Sequence, residues 1–170
     1  MSPVKEHKEE ARDITAGFCV LVTSDSIIEG KREDRVTPLA RELIAGEGHR
    51  IVKTGVVPNK VEVIREWVAE ALNECDIVLV TGGSGVSRRD VSVEAVKPLC
   101  TKELPGFGEL FRWLSYRDIG SAAMLSRAYA CVAGKGAVFV TPGSPEAVRL
   151  ALQELILPEA RHLVYQVKYK

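Results

Sequence analysis

The residues best suited to chemistry in this chain cluster in three polar runs, each directly after an apolar segment. The densest is Thr81-Gly82-Gly83-Ser84-Gly85-Val86-Ser87-Arg88-Arg89-Asp90. Three glycines in four positions let the backbone turn tightly and aim several N–H groups at one point, and serine hydroxyls add donors. Such an array suits a phosphate. Two phosphate motifs are excluded: no Gly-Lys-Ser/Thr follows these glycines, and Arg88 stands where a dinucleotide fingerprint needs its third glycine. An ordinary strand-to-loop turn has the same composition, and the run alone does not separate the two. The second run is Thr141-Pro142-Gly143-Ser144-Pro145, where Ser144 can cap a helix and Pro145 fits its first turn. A helix start of this kind leaves N–H groups for an anion. The third is Ser24-Asp25-Ser26.

Asp90 adds a carboxylate to the first run. Beside a phosphate it is repulsive unless a cation lies between them, and Mg²⁺ held by one or two carboxylates plus substrate phosphates removes that conflict. The bland alternative for Asp90 is an N-cap for a helix near Val93; for Asp25 it is a turn residue.

These runs need elements to position them. Phe18–Thr23, Arg50–Val57 and Asp76–Thr81 read as strands, the first and third apolar throughout their centres. A helix opened by Thr37-Pro38, with Thr37 as its cap, presents Leu39, Leu43 and Ile44 and ends at Gly46 and Gly48. A second, with Asn59 as cap and Glu62 completing a capping box, carries Val61, Ile64, Trp67, Val68, Ala71 and Leu72 at helical spacing. Further on come a short helix near Val93–Lys97 and another marked by Phe107, Leu110, Phe111 and Leu114. Tyr129–Val132 and Ala137–Thr141 flank Gly134-Lys135-Gly136 as a hairpin. A last helix starts at Pro145, with Pro158 set to kink or break it. Alternating strands and helices predict an α/β fold: a three-layer α/β/α domain on a mixed, mostly parallel five-stranded sheet. If Ala137–Thr141 lies parallel to Asp76–Thr81, all three polar runs sit at carboxyl ends of strands, where ligands bind in such sheets.

The chain has 170 residues, 46% hydrophobic and 27% charged, which fits one globular domain. Residues 1–17 are charged and read as a flexible tail, with residues 18–170 as a single domain. That tail lacks the apolar centre of a signal peptide, and no apolar run is long enough to span a bilayer, so no membrane partner is expected. Lys plus Arg equals Asp plus Glu, 23 each, which gives no support for nucleic-acid binding. Cys19, Cys75, Cys100 and Cys131 lack the close pairing of a zinc site and read as buried free thiols, consistent with a reducing cytoplasm. His7, His49 and His162 have no metal-ligand spacing.

Taken in order, the motifs resemble the MoaB/MogA family of molybdenum cofactor biosynthesis proteins. Thr81–Asp90 is similar to the family's T-G-G-T-G…R-D signature. Glu94-Ala95 with Pro98-Leu99, Glu103–Arg112, Ala123–Arg127, Thr141–Pro145, and Thr23–Ser26 with Gly30–Asp34 match further segments. The match runs over residues 18–157 and is closer to MoaB than to MogA. The resemblance implies a cytoplasmic homo-oligomer, trimer or hexamer, that binds molybdopterin and, in active members, uses ATP and Mg²⁺ to adenylylate its terminal phosphate. Other molybdenum cofactor biosynthesis proteins are the implied partners. Carried over residue by residue, Gly82, Gly83, Ser84 and Gly85 cradle the phosphate, with Thr81, Ser87, Ser24, Asp25 and Ser26 on the same rim. Pro142, Gly143 and Ser144 form the opposite wall, Ser126 lies near the pterin, and Asp90 holds Mg²⁺ or orients the triphosphate.

Two positions depart from the family pattern. Ser92-Val93 replaces Thr-Pro at a helix start. Asn59 stands where active members carry an aspartate that acts with the Asp90 equivalent, and a neutral amide is a poorer Mg²⁺ ligand. Three readings stay open: Asn59 serves through its carbonyl oxygen, another carboxylate such as Asp25 substitutes, or the protein is a non-catalytic molybdopterin carrier or scaffold.

Overall fold

The computed structural model describes residues 2–170. Six strands form one sheet: β1 (Gly17–Thr23), β2 (Arg50–Val57), β3 (Ile77–Thr81), β4 (Lys102–Glu103), β5 (Tyr129–Ala133) and β6 (Gly136–Thr141). Their spatial order is β2-β1-β3-β6-β5-β4. The first four in that order run parallel; β5 is antiparallel to β6, and β4 to β5. The expected five strands are all present. The sixth, β4, is two charged residues on the outer edge, too short and too polar to carry a strand pattern in sequence.

β1, β3 and β6 are buried on both faces because their residues are almost all apolar. One face packs Phe18, Val20, Ile77, Leu79 and Phe139 against α3 (Val36–Gly46), α6 (Pro105–Ile119), α7 (Pro145–Leu150) and α8 (Leu157–Tyr169). The other packs Leu21, Val78, Val80, Val138 and Val140 against α4 (Val61–Ala71) and α5 (Ser92–Val96). The three-layer α/β/α architecture is therefore realised. β5 and β6 are joined through the two residues Gly134 and Lys135, with Gly134 at φ 60°. This is the hairpin expected from the glycines.

Several local expectations are corrected. Part of the segment read as a tail is a helix, α1 (Pro3–Glu10), which rests on α8 through Gln166 to His7 at 2.8 Å and Tyr165 to Glu10 at 2.5 Å. The cap of α3 is not Thr37. Asp34 accepts from the N–H groups of Val36 and Thr37 at 2.9 and 3.0 Å, and from the Thr37 hydroxyl at 2.5 Å, so the carboxylate three residues upstream does the capping. Asn59 does not cap α4, which begins two residues later with Lys60 at the cap position and no side-chain bond there. Pro158 neither breaks nor stops the last helix. A π-helical stretch, Ala151–Ile156, precedes it, and the Leu157 N–H reaches Leu152 O in the wider register. The chain is thus helical from Pro145 through Tyr169, and the π turn sits where the proline disturbs regular bonding.

The cysteines divide. Cys19 and Cys75 are buried free thiols as expected, but Cys100 and Cys131 form a disulfide. Their 31-residue separation gave no local cue, because the two are brought together only by the edge of the sheet, where the Thr101 N–H bonds Val132 O. Four thiols therefore do not exist to indicate a reducing compartment. The bond closes a loop holding β4, α6 and the 3₁₀ turn Gly120–Leu125.

Closing a loop of that length stabilises a fold by ~3–4 kcal/mol, so reduction of the intact protein should lower its Tm by about 10 °C. Thiol titration of the unreduced, denatured chain should find two thiols; finding four, or an unchanged Tm, would refute the bond. A second prediction concerns His49. It is buried against Phe18 and accepts the Ala16 N–H on Nδ1 at 3.0 Å, and burial, then the Arg161 guanidinium, push its pKa below 6.5. A folded-state pKa below the unfolded one makes its contribution complete above pH 6.5 and progressively lost as pH falls below it. The fall of Tm from pH 7 to pH 5 should be shallower in His49→Gln; parallel curves would contradict this.

Candidate functional site

Threonines end the three central parallel strands: Thr23 on β1, Thr81 on β3 and Thr141 on β6. From β1 the chain passes to β2 on one side and then crosses over β1 to β3 on the other. The crevice outside β1 and β3 is therefore a topological switch point, the usual ligand position in an open α/β sheet. A cavity of about 610 Å³ opens there. Thr23, Ser24, Gly82, Gly83, Gly143 and Ser144 line it, so parts of all three polar runs meet as the parallel alignment of β3 and β6 requires.

Close backbone contact builds this crevice. Gly82 and Gly83 have φ of 92° and 68°, a region that side chains strain to enter. A Cβ on Gly82 would lie 2.5 Å from the Thr23 carbonyl oxygen, and one on Gly143 would lie 3.1 Å from Gly82 Cα. The Gly82 N–H donates to Thr141 O at 2.9 Å, tying β3's exit to β6's. Behind the loop, the Ser92 hydroxyl donates to Gly82 O at 2.7 Å and its N–H to Gly83 O at 3.0 Å. The Ser92 hydroxyl thus secures the turn.

Past Gly82 the loop's own N–H groups are unspent. Among the described residues, those of Gly83, Ser84, Gly85 and Val86 donate to no protein acceptor. Three carbonyls of the loop, those of Ser84, Gly85 and Asp90, are engaged by one residue. Arg127 donates Nε to Gly85 O at 2.7 Å, Nη2 to Asp90 O at 2.9 Å and its backbone N–H to Ser84 O at 2.8 Å. It also pairs with Glu94, whose carboxyl the guanidinium holds below its usual range.

The acidic residues are placed as follows. Asp90 is not the cap of α5; it folds back on its own loop, Oδ2 accepting from the Ser87 N–H at 2.9 Å. Asp25 sits at the start of α2 (Asp25–Ile28), and its Oδ1 accepts from the Asn59 N–H at 2.9 Å. Asn59 Oδ1 is buried without a partner, as are Thr81 Oγ1 and Ser126 Oγ. The Ser24 hydroxyl caps α2 by accepting from Ile27 N–H at 3.2 Å, and lies 3.1 Å from the Ser26 hydroxyl. Ser144 caps α7, accepting from Ala147 N–H at 3.1 Å, as read from sequence. Pro142 does not line the cavity; its carbonyl accepts from the Thr141 hydroxyl at 3.1 Å.

The predicted rim is therefore only partly one surface. Ser84 is buried in the loop, Ser87 is exposed on its far limb, and Ser126 adjoins it through Arg127 rather than across the cavity. Arg32 and Arg35 reach the cavity from the loop before α3, with Glu33 and Asp34 between them. Spacing in sequence gave no sign of these arginines or of Arg127's contacts, which join segments about 40 residues apart. Among the described residues no cluster of three His, Cys, Asp or Glu side chains could hold a metal alone.

The fold recurs in known proteins. Residues 19–162 match the family model described as "Probable molybdopterin binding domain". Molybdenum cofactor biosynthesis protein B of Bacillus subtilis is 44% identical over 169 residues, covering 97% of each chain. Its namesake in Staphylococcus carnosus is 40% identical, covering 95% of this chain and 96% of its own. Among solved structures, the tungsten cofactor synthesizing protein MoaB from Pyrococcus furiosus superposes with a TM-score of 0.84 at 37% identity, over 91% of this chain and 98% of its own. A structure of MogA gives 0.81 at 25% identity, over 89% and 99%. With its fold and nearly its whole length shared with these proteins, the chain belongs to the MoaB/MogA family of molybdenum cofactor biosynthesis proteins.

Proposed function

We propose that the protein binds molybdopterin by its terminal phosphate and transfers AMP to that phosphate from ATP. The observation that carries the reading is the run of four unpartnered N–H groups, Gly83 to Val86, at the switch point of the sheet. Peptide dipoles aimed at one point stabilise an anion without a lysine. In the reaction an oxygen of the molybdopterin phosphate attacks the α-phosphorus of ATP. A new P–O–P linkage forms, the bond from the α-phosphorus to the bridging oxygen breaks, and pyrophosphate leaves. The protein's part is to hold both phosphates in line and offset their charge.

The carboxylates fit Mg²⁺ shared with substrate phosphates, not a cage made by protein alone. Asp90 has Oδ1 to offer, since only Oδ2 is spent on its loop. The unpartnered Asn59 Oδ1 and the Asp25 carboxylate beside the Asn59 N–H form a second acidic point. Asp25 thereby supplies the negative charge that Asn59 lacks. Mg²⁺ would there neutralise triphosphate charge. A carrier that binds without turnover is the second reading, and the neutral Asn59 is the observation in its favour.

We further propose that the protein self-associates through α6. Leu110, Trp113, Tyr116 and Ile119 on that helix, with Met124 and Leu125 beyond it, are exposed, Met124 at 76%. A connected apolar surface of this kind marks an interface.

AMP transfer from ATP labelled at the α-phosphate decides between enzyme and carrier. Labelled adenylyl-molybdopterin should accumulate over many turnovers, and Asp90→Ala should slow it by roughly 100- to 1,000-fold with molybdopterin binding retained. Tight binding with no product means a carrier; no binding refutes both readings. Trp113→Glu combined with Ile119→Glu should lower the mass in solution to that of one chain, whereas an unaltered assembly would place the interface elsewhere.

A further inference from the structure

The geometry points to Arg127 as the positioning residue that gives the glycine loop its binding orientation, with Glu94 holding Arg127 in place. The inference deepens the phosphate-cradle reading and rests on it. In a planar trans peptide the C=O and the following N–H point in opposite directions. Arg127 gathers the carbonyl oxygens of Ser84, Gly85 and Asp90 on one side of the loop. The N–H groups of the same peptide units, those of Gly85, Val86 and Val91, are thereby turned to the other side. Two of the three, Gly85 and Val86, belong to the unpartnered run.

A glycine-rich loop has no intrinsic preference for this arrangement, since glycine populates many backbone conformations about equally. Something outside the loop must select it. The guanidinium is well suited to do so, being planar, permanently charged and equipped with five donors in a rigid fork. Its Nε and Nη2 serve two loop carbonyls, while Nη1 and Nη2 take the two oxygens of Glu94. Glu94 is itself anchored, because α5 is held by Arg65, which donates to Ala95 O at 3.1 Å and to Glu94 O at 3.3 Å. The brace therefore ties the loop to a fixed helix. It also sets a positive charge directly behind the peptides that meet the anion. Arg127 touches the loop and not the ligand, so it positions and does not catalyse.

The test uses the intact protein with molybdopterin and its dephosphorylated form as probes, and hydrogen exchange of residues 82–92 without ligand. Arg127→Gln should weaken molybdopterin by about tenfold, as expected for lost charged hydrogen bonds, and leave the dephosphorylated probe within about twofold. The hydrogen-bonded loop amides of Ser87, Asp90 and Ser92 should exchange faster while those of β1, β3 and β6 do not. Arg127→Lys should recover part of the affinity, and Glu94→Gln should give a smaller loss in the same direction. If Arg127→Gln is too unstable to purify, Arg127→Lys and Glu94→Gln decide by the same readouts. Equal loss of both probes, or wild-type loop exchange and affinity in the variants, overturns the proposal. Wild-type protein that does not distinguish the two probes overturns the phosphate reading instead, and loop exchange still judges the brace on its own.

Discussion

The site depends on how closely three stretches of backbone approach at the carboxyl edge of the sheet. Gly82 passes against the Thr23 carbonyl, Gly143 against Gly82, and the Gly82 N–H is committed to Thr141. No side chain could be inserted at these crossings without forcing β1, β3 or β6 apart. Because the central strands are apolar on both faces and locked between two helical layers, they cannot shift to make room. Glycine is thus required twice over, for the positive φ of Gly82 and Gly83 and for the contact distance. The cavity, the unpartnered N–H run and the placement of Ser144 are consequences of that packing.

The chemistry proposed for the crevice fits the way charge is distributed around it. No lysine enters the phosphate loop, and Arg88 and Arg89 lie on its exposed limb. Under the proposed reading, attraction for an anion comes instead from peptide dipoles in front, from Arg127 behind, paired with Glu94, and from Arg32 and Arg35 at the cavity, with Glu33 and Asp34 between them. Fixed dipoles need no rearrangement when charge moves during phosphoryl transfer, which is where such arrangements outperform mobile cations. Asn59 belongs to the same balance. Its N–H donates to the Asp25 carboxylate, so a negative charge lies beside the neutral residue.

Much of this was legible in the sequence, for identifiable reasons. Apolar runs bounded by polar residues marked β1, β3 and β6, and the serine-proline pair at Ser144-Pro145 marked a helix start, because strand burial and capping are local. The glycine run announced the loop. What escaped was set by distance. The Cys100–Cys131 bond, the Arg127 brace and the Asp25–Asn59 contact each join segments that only the finished sheet brings together. Errors at closer range came from competing candidates: Asp34 and Thr37 can both cap α3, and the carboxylate, reaching two N–H groups and a hydroxyl, prevails. β4 was invisible because two charged residues on an edge carry no hydrophobic pattern.

The order of strands also bears on when the protein acquires its site. The β5–β6 hairpin closes across two residues, whereas Phe18 meets Ile77 and Ile77 meets Ala137 across about a third of the chain each. Local pairings form ahead of distant ones, since the entropy of closing a long loop must be met before its contacts are gained. The junctions of Gly82 with Thr23, Thr141 and Gly143 are all of the distant kind. During synthesis the glycine loop emerges well before β6, and until Thr141 arrives the Gly82 N–H has no place to go. Binding competence is therefore a late event in the folding of this chain, reached only when the last strand has docked.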